Sequence, residues 1–203
     1  MEPSHENPIR ITAAILLATV ATQIAYTGLY LADVSPSRQV FWGVEALLFT
    51  MLAAFAGAML ARTSTQHLGW SAITISAVFN LVQVSIGATM FVPFRQVAGQ
   101  VDGLGTAAGA VVALSFMIYY AAKLLLGLAA VAFGLARIMA GARTLGTVSV
   151  AVGAVAILSN GILIVFGRDG FLPSPIAGGS GVVATLVLGF LLWAEREPPM
   201  ARS

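Results

Sequence analysis

NLVQVSIGATMFVPF, residues 80–94, contains no charged side chain and lies within an uncharged run that extends from Leu68 to Phe94. A helix crosses the hydrocarbon core of a bilayer with about 20 predominantly apolar residues, so this run is long enough to span. It nevertheless carries two amides three residues apart, Asn80 and Gln83. Lipid offers an amide no hydrogen-bond partner. These side chains must therefore face protein or water, which makes the stretch both a membrane helix and a pointer to a polar interior.

The rest of the chain repeats the pattern. Of 203 residues, 59% are hydrophobic and only 9% are charged, where a water-soluble domain carries about 25% charged residues. The mean hydropathy is +0.94. Six spans fit the apolar runs, at about 9–32, 40–61, 69–92, 106–137, 145–167 and 176–194, each near or above the length that crosses a bilayer. The fourth is longer than a bilayer requires, so its first turns should project or the helix should tilt strongly. Membrane β-barrels need alternating segments of about 10 residues, and none is visible. The expected fold is an all-α membrane protein, a bundle of six transmembrane helices forming one polytopic domain over residues 1–203.

Composition also excludes several functions. There is no cysteine, hence no thiol nucleophile, disulfide framework or cysteine metal site. His5 and His67 have no carboxylate or second histidine at ligand spacing, so no metal is expected. No histidine falls at membrane depth, which argues against a Ser-His-Asp hydrolase. The glycines of GLGTAAG (103–109) and GGSG (178–181) match neither a P-loop nor a dinucleotide fingerprint and suit close packing or turns. The net charge of +2 is spread over loop arginines and forms no nucleic-acid footprint. No cofactor is expected, and the lipid bilayer is the one certain partner.

The arginines give an orientation. Both tails and the even-numbered loops carry Arg10, Arg62, Arg137, Arg143, Arg196 and Arg202. The odd loops carry Arg38, Arg95 and Arg168, offset by Asp33, Asp102 and Asp169. Basic residues accumulate in cytoplasmic loops, so both termini are expected in the cytoplasm of a bacterial-type inner (plasma) membrane. The opening MEPSHENPIR lacks the basic start of a cleaved signal peptide and is expected to be a retained tail.

An internal similarity runs through the middle of the chain. NLVQVSIGATMFVP from Asn80 aligns without gaps to NGILIVFGRDGFLP from Asn160. Asn80, Gly87, Phe91 and Pro93 match Asn160, Gly167, Phe171 and Pro173. Upstream, the segment from Glu45 resembles the segment from Lys123, with a three-residue gap. Helices 2–3 and 4–5 are therefore expected to be two copies of one hairpin in parallel orientation, a layout known among transporters.

Glu45 and Lys123, the latter the only lysine, are the charged residues well inside predicted spans. A charge at that depth costs at least about 2.5–3.5 kcal/mol unless paired or hydrated. Their matched positions in the two hairpins make a direct Glu45–Lys123 pair the expected arrangement. Rise per residue puts Glu45, Asn160 and Gln23 in one layer in the half of the bundle distal to the termini. Helical spacing then builds polar stripes: Thr19, Gln23, Tyr26, Thr27 and Tyr30 on span 1, Ser76, Asn80 and Gln83 on span 3, and Ser115, Tyr119 and Lys123 on span 4.

Two functions follow from this layer. In the first, Glu45, Lys123, Asn80, Gln83, Asn160, Gln23, Tyr26 and Tyr119 line a site that binds or transports a small amphipathic solute, with or without a proton. No catalytic residue is assigned, because no acid–base or nucleophile constellation is complete. In the second, the chain is a non-catalytic subunit or scaffold, pairing with itself or with a larger membrane complex, and the polar groups serve packing. The small residues Ala53, Gly57 and Ala61 at four-residue spacing suit that reading. Gln83 matches Leu163 and so breaks the repeat, which marks it as an expected specificity residue.

Overall fold

Uncharged runs separated by short polar connections give helices, and the computed structural model contains six. It describes residues 6–34, 37–101, 103–168 and 170–194; the tail with His5, and Asp102, Asp169, Arg196 and Arg202, lie outside the described residues. The helices are α1 (Glu6–Leu31), α2 (Arg38–Arg62), α3 (His67–Ala98), α4 (Leu104–Met139), α5 (Arg143–Phe166) and α6 (Ser174–Trp193). Among the described residues there is no strand. All six are long and apolar enough to cross a membrane, as the composition requires. The chain is a multi-pass membrane protein by this measure.

Local chemistry sets the ends. Ser37 precedes α2 in extended backbone and its hydroxyl accepts from the Val40 amide at 3.4 Å, which satisfies one of the free donors at a helix start. α5 stops at Gly167, whose φ of +74° is a conformation that side chains rarely tolerate. α6 opens on Ser174-Pro175, proline being suited to the first helical turn. The largest departure from the expected ends is in α3, which continues to Ala98 rather than stopping near residue 92. Pro93 lies inside it. Its missing N–H frees the carbonyl of Thr89, and both residues are exposed.

Five helices close a ring. α1 packs on α2, α2 on α3, α3 on α4, α4 on α6, and α6 back on α1, while α5 lies outside against α4 and α6. Sequential helices are antiparallel: Ser76 meets Ala122 and Gln83 meets Ser115 across α3–α4. α4 and α6 run parallel, since Tyr119 meets Gly178 and Lys123 meets Gly181.

The tightest seam joins α4 to α5. A Cβ at Gly127 would lie 2.8 Å from the Gly153 carbonyl oxygen, and one at Gly134 would lie 2.9 Å from that of Gly146; the reverse distances are 2.6 and 2.7 Å. Two reciprocal glycine pairs therefore let the backbones meet, the device by which small residues bring membrane helices together. The Ala53-Gly57-Ala61 stripe does not work this way. Gly57 meets only the Thr74 methyl, at an ordinary 3.7 Å, and Ala61 is exposed.

The buried charges and amides gather toward the distal half of the bundle, while the half near the termini holds buried hydroxyls such as Thr12 and Ser149 among its apolar side chains. The half near the termini is filled by Leu16, Leu52, Met59, Trp70, Ile73, Leu126, Phe133 and Leu192, with Trp70 edge-on to Phe133 at 5.1 Å. The distal half holds the polar layer. There α4 also outruns its neighbour: in the register of the glycine pairs, Phe166 at the end of α5 lies level with Leu114. The ten residues of α4 before it, roughly 15 Å of helix, have no α5 beside them.

Candidate functional site

The two buried charges approach the same segment of α1. Glu45 on α2 is 6% exposed and Lys123 on α4 is 1% exposed. The expected direct pair is not formed: among the described residues no carboxylate and ammonium lie within 4.0 Å. Instead the Glu45 Oε1 is 3.1 Å from the Thr22 hydroxyl, and the Lys123 Nζ donates to Gln23 Oε1 at 2.9 Å. Consecutive residues point about 100° apart around a helix. Thr22 therefore turns to α2 while Gln23 reaches across to α4. The charges remain within electrostatic reach of one another.

Hydroxyl geometry adds a constraint. Thr22 Oγ1 also lies 2.8 Å from the carbonyl of Thr19, and a hydroxyl has one proton to give. A carbonyl cannot donate. If Thr22 donates to Thr19, its contact with Glu45 needs a proton on the carboxyl; if Glu45 is ionised, Thr22 must turn its proton to the carboxylate. An ionised carboxylate can accept about four hydrogen bonds, and Thr22 is the only hydrogen-bond partner of Glu45 among the described residues.

Lys123 is cradled on its other sides. Its ammonium stands 5.2 Å from the centre of the Tyr119 ring, within cation–π range. Gly181 on α6 supplies room for the stem: a Cβ there would come within 2.7 Å of Lys123 Cβ, Cγ and Cδ. Gly178 meets the Tyr119 hydroxyl only at 3.4 Å, an ordinary contact. Of GGSG, Gly181 is thus the packing glycine.

The remaining candidates fall into separate groups. Ser76 donates to the Ala122 carbonyl at 2.8 Å, tying α3 to α4, and Asn80 donates back to Ser76. Gln83 makes only long contacts with Ser115, at 3.4 and 3.5 Å. Asn160 donates to Ala177 on α6 at 3.1 Å and to Ala156 at 2.9 Å, beside a Ser159–Ser180 hydroxyl contact of 2.6 Å. Tyr26 belongs to an aromatic cluster with Phe41 and Trp42, and Trp42 reaches Phe91 and covers Gly87. Thr27 and Tyr30, expected on the same stripe, are exposed.

So the structure gathers Gln23, Glu45, Tyr119 and Lys123 around one locus, directs hydrogen bonds of Gln83 and Asn160 across helix seams, and turns Asn80 back onto Ser76 of its own helix. Thr22, Gly181, Ser159 and Ser180 are the additions. Among the described residues no group of three or more histidine, aspartate or glutamate side chains could hold a metal.

Comparison with protein-family models, curated proteins and solved structures finds no match to this chain. The functional reading rests on the locus itself.

Two matched asparagines behave alike. Asn80 and Asn160 are both fully buried, each donates to the carbonyl four residues earlier, and the Oδ1 of each has no partner. Beyond them the two stretches part. Gly87 lies inside α3 under Trp42, whereas Gly167 ends α5; Phe91 packs on Trp42, whereas Phe171 is 75% exposed.

Proposed function

We propose that this protein binds a small solute in the distal half of its helix bundle and moves it across the membrane, with Glu45 exchanging a proton during the cycle. The observation that carries this reading is the separation of Glu45 from Lys123. A buried ion pair retained for architecture is most favourable when its partners touch and satisfy each other. Here each charge is held by one uncharged α1 side chain, and the carboxylate keeps most of its hydrogen-bonding capacity free. Ionisable groups at membrane depth mark ion, proton or substrate paths. Lys123 serves as counter-charge or as anchor for an anionic group of the solute; Gln23 and Tyr119 orient it.

In this reading both termini are cytoplasmic, in a bacterial-type inner membrane, and the locus faces the external half. The excess of arginines on the terminal side supports the orientation, and a topology reporter fused after Gly99 should read as external. The α2–α3 and α4–α5 hairpins are proposed copies of one unit. The shared bonding of Asn80 and Asn160 supports that relation; the different roles of Gly87 and Gly167 limit it to the buried half of the hairpins.

A solute screen by thermal shift tests the assignment. Solutes that stabilise the wild type should fail to stabilise Glu45→Gln and Lys123→Ala, while the variants still reach the membrane. Stabilisation of all three alike would remove the site from this locus.

A scaffold role is the second reading. The seam bonds of Ser76 and Asn160 favour it, because they fix helix packing without a ligand. Co-purification with a stable partner, and no solute-dependent shift, would establish it over the first.

A further inference from the structure

The distal end of α4 carries a second polar feature that the Glu45–Lys123 locus does not use. Because α5 stops at Phe166, one face of α4 is left uncovered, and a cleft of about 610 Å³ opens there. Its walls are Gly109, Ala113, Met117 and Tyr120 of α4, Leu163 of α5, the Gly167 that follows that helix, and the hydroxyl-bearing Ser174 at the start of α6. Those α4 residues recur at three- and four-residue steps and so share one face. Gly109, Ala113 and Met117 are exposed, so in a bilayer the cleft opens sideways to lipid.

Its polar groups are few and placed apart. Arg168 lines the cleft, and its guanidinium stacks over Phe116 at 4.2 Å. The Phe116 ring is 6.0 Å from the ring of Tyr120. Tyr120 lines the same cleft, is 2% exposed, and its hydroxyl has no hydrogen-bond partner. A buried phenol ordinarily finds a partner, and leaving one unmade costs roughly 1–3 kcal/mol. In the glycine-pair register Tyr120 lies six residues below the level of Phe166, roughly 9 Å deeper.

We propose that this cleft is a binding site for an anionic amphiphile, a molecule with a carboxylate or phosphate head, a hydrogen-bond acceptor just below it, and an apolar tail. The head pairs with Arg168, whose planar fork suits both anions. The Tyr120 hydroxyl donates to the acceptor, which is an ester carbonyl in a lipid and the second carboxylate oxygen in a free acid. Gly109 and Ala113 flank the head near the level of Arg168, and the tail leaves past Met117 toward the bilayer. The volume falls in the roughly 300–1,000 Å³ range of small-molecule sites. The cleft adjoins the solute locus: the Tyr120 ring lies 5.8 Å from the ring of Tyr119, which faces the Lys123 ammonium.

Thermal stability of the purified full-length protein in mild non-ionic detergent tests it, with four added probes: oleate, dioleoyl phosphatidylglycerol, dioleoyl phosphatidylcholine and inorganic phosphate. At least one of the two anionic amphiphiles should raise the unfolding temperature saturably, oleate alone indicating a free acid and phosphatidylglycerol alone a lipid phosphate. Phosphatidylcholine and inorganic phosphate should not. Arg168→Gln should weaken the response about tenfold or more, and Tyr120→Phe about three- to tenfold. Tyr120→Phe removes one oxygen that has no partner in the fold, so it should fold normally. Ala113→Trp, which fills the cleft, should abolish the response. Equal stabilisation by phosphatidylcholine, stabilisation by neither anionic probe, or full responses in Arg168→Gln and Tyr120→Phe would overturn the proposal.

Discussion

Glu45 and Lys123 meet neighbouring residues of α1 without touching each other: the carboxyl lies 3.1 Å from Thr22 and the ammonium 2.9 Å from Gln23. A single helix segment thus holds both buried charges apart. Any rotation or slide of α1 changes both contacts together, which is the mechanical relation a proton-linked carrier needs.

The Lys123 side of this arrangement should be the more sensitive. Gln23→Leu leaves a buried ammonium without its acceptor and should cost about 1.5–3 kcal/mol, the value of a hydrogen bond to a charged group. Gln23→Glu restores an acceptor and should recover that loss. Unfolding midpoints in detergent would distinguish them; equal midpoints for both variants would show that Gln23 does not hold Lys123.

The α6 cradle gives a prediction with its own control. Gly181→Ala places a methyl against the base of the Lys123 side chain, which has little room to move, and should cost about 1–3 kcal/mol as other overpacked sites do. A methyl at Gly179 would meet nothing within 4 Å, so Gly179→Ala should be neutral or slightly stabilising. The pair can be read by thermal unfolding.

At the α4–α5 seam the obstructing atoms are backbone carbonyl oxygens, which cannot rotate aside. Gly127→Ala and Gly146→Ala should each separate the helices and lower stability by about 1–3 kcal/mol or more. Gly161, on α5 but only in ordinary contact with Leu124 at 3.7 Å, should accept alanine. Retention of a monodisperse size-exclusion peak after heating is a sufficient readout.

Gln83 should matter less than its sequence position suggests. Its contacts with Ser115 are long, so Gln83→Leu should change stability by no more than about 0.6 kcal/mol, the average for interhelical hydrogen bonds in membranes. Asn160→Leu removes a bond to α6 and one to its own helix, and should cost about 1–2 kcal/mol. A larger effect of Gln83→Leu on solute response than on stability would return Gln83 to the binding site.

The helices were legible because uncharged length has one common meaning in a chain this apolar. The end of α3 was not, since Pro93 normally closes a helix whereas this one continues to Ala98. Rarity found Glu45 and Lys123; their separation was invisible because charge pairing is the default when only depth is known. Thr22 was missed for a geometric reason. A stripe drawn through Thr19, Gln23 and Tyr26 selects one face of α1, whereas α1 uses two adjacent faces to reach α2 and α4. Gly181 carried no polar signal at all, and its role depends on α6 packing against α4, which the loops alone do not specify. The asparagines, expected in the site, spend their donors on the packed helices instead, Asn80 on Ser76 of its own helix and Asn160 on its own helix and on Ala177 of α6.

The proposed transport cycle requires Glu45 to exchange a proton rather than stand as a fixed structural charge. A pH-difference infrared spectrum of the protein reconstituted in lipid reads this out. A protonated carboxyl band should appear and disappear reversibly with pH, be absent in Glu45→Gln, and shift in Thr22→Val because its hydrogen-bond partner is gone. A spectrum without such a band, or one unchanged by Glu45→Gln, would rule out proton exchange at Glu45.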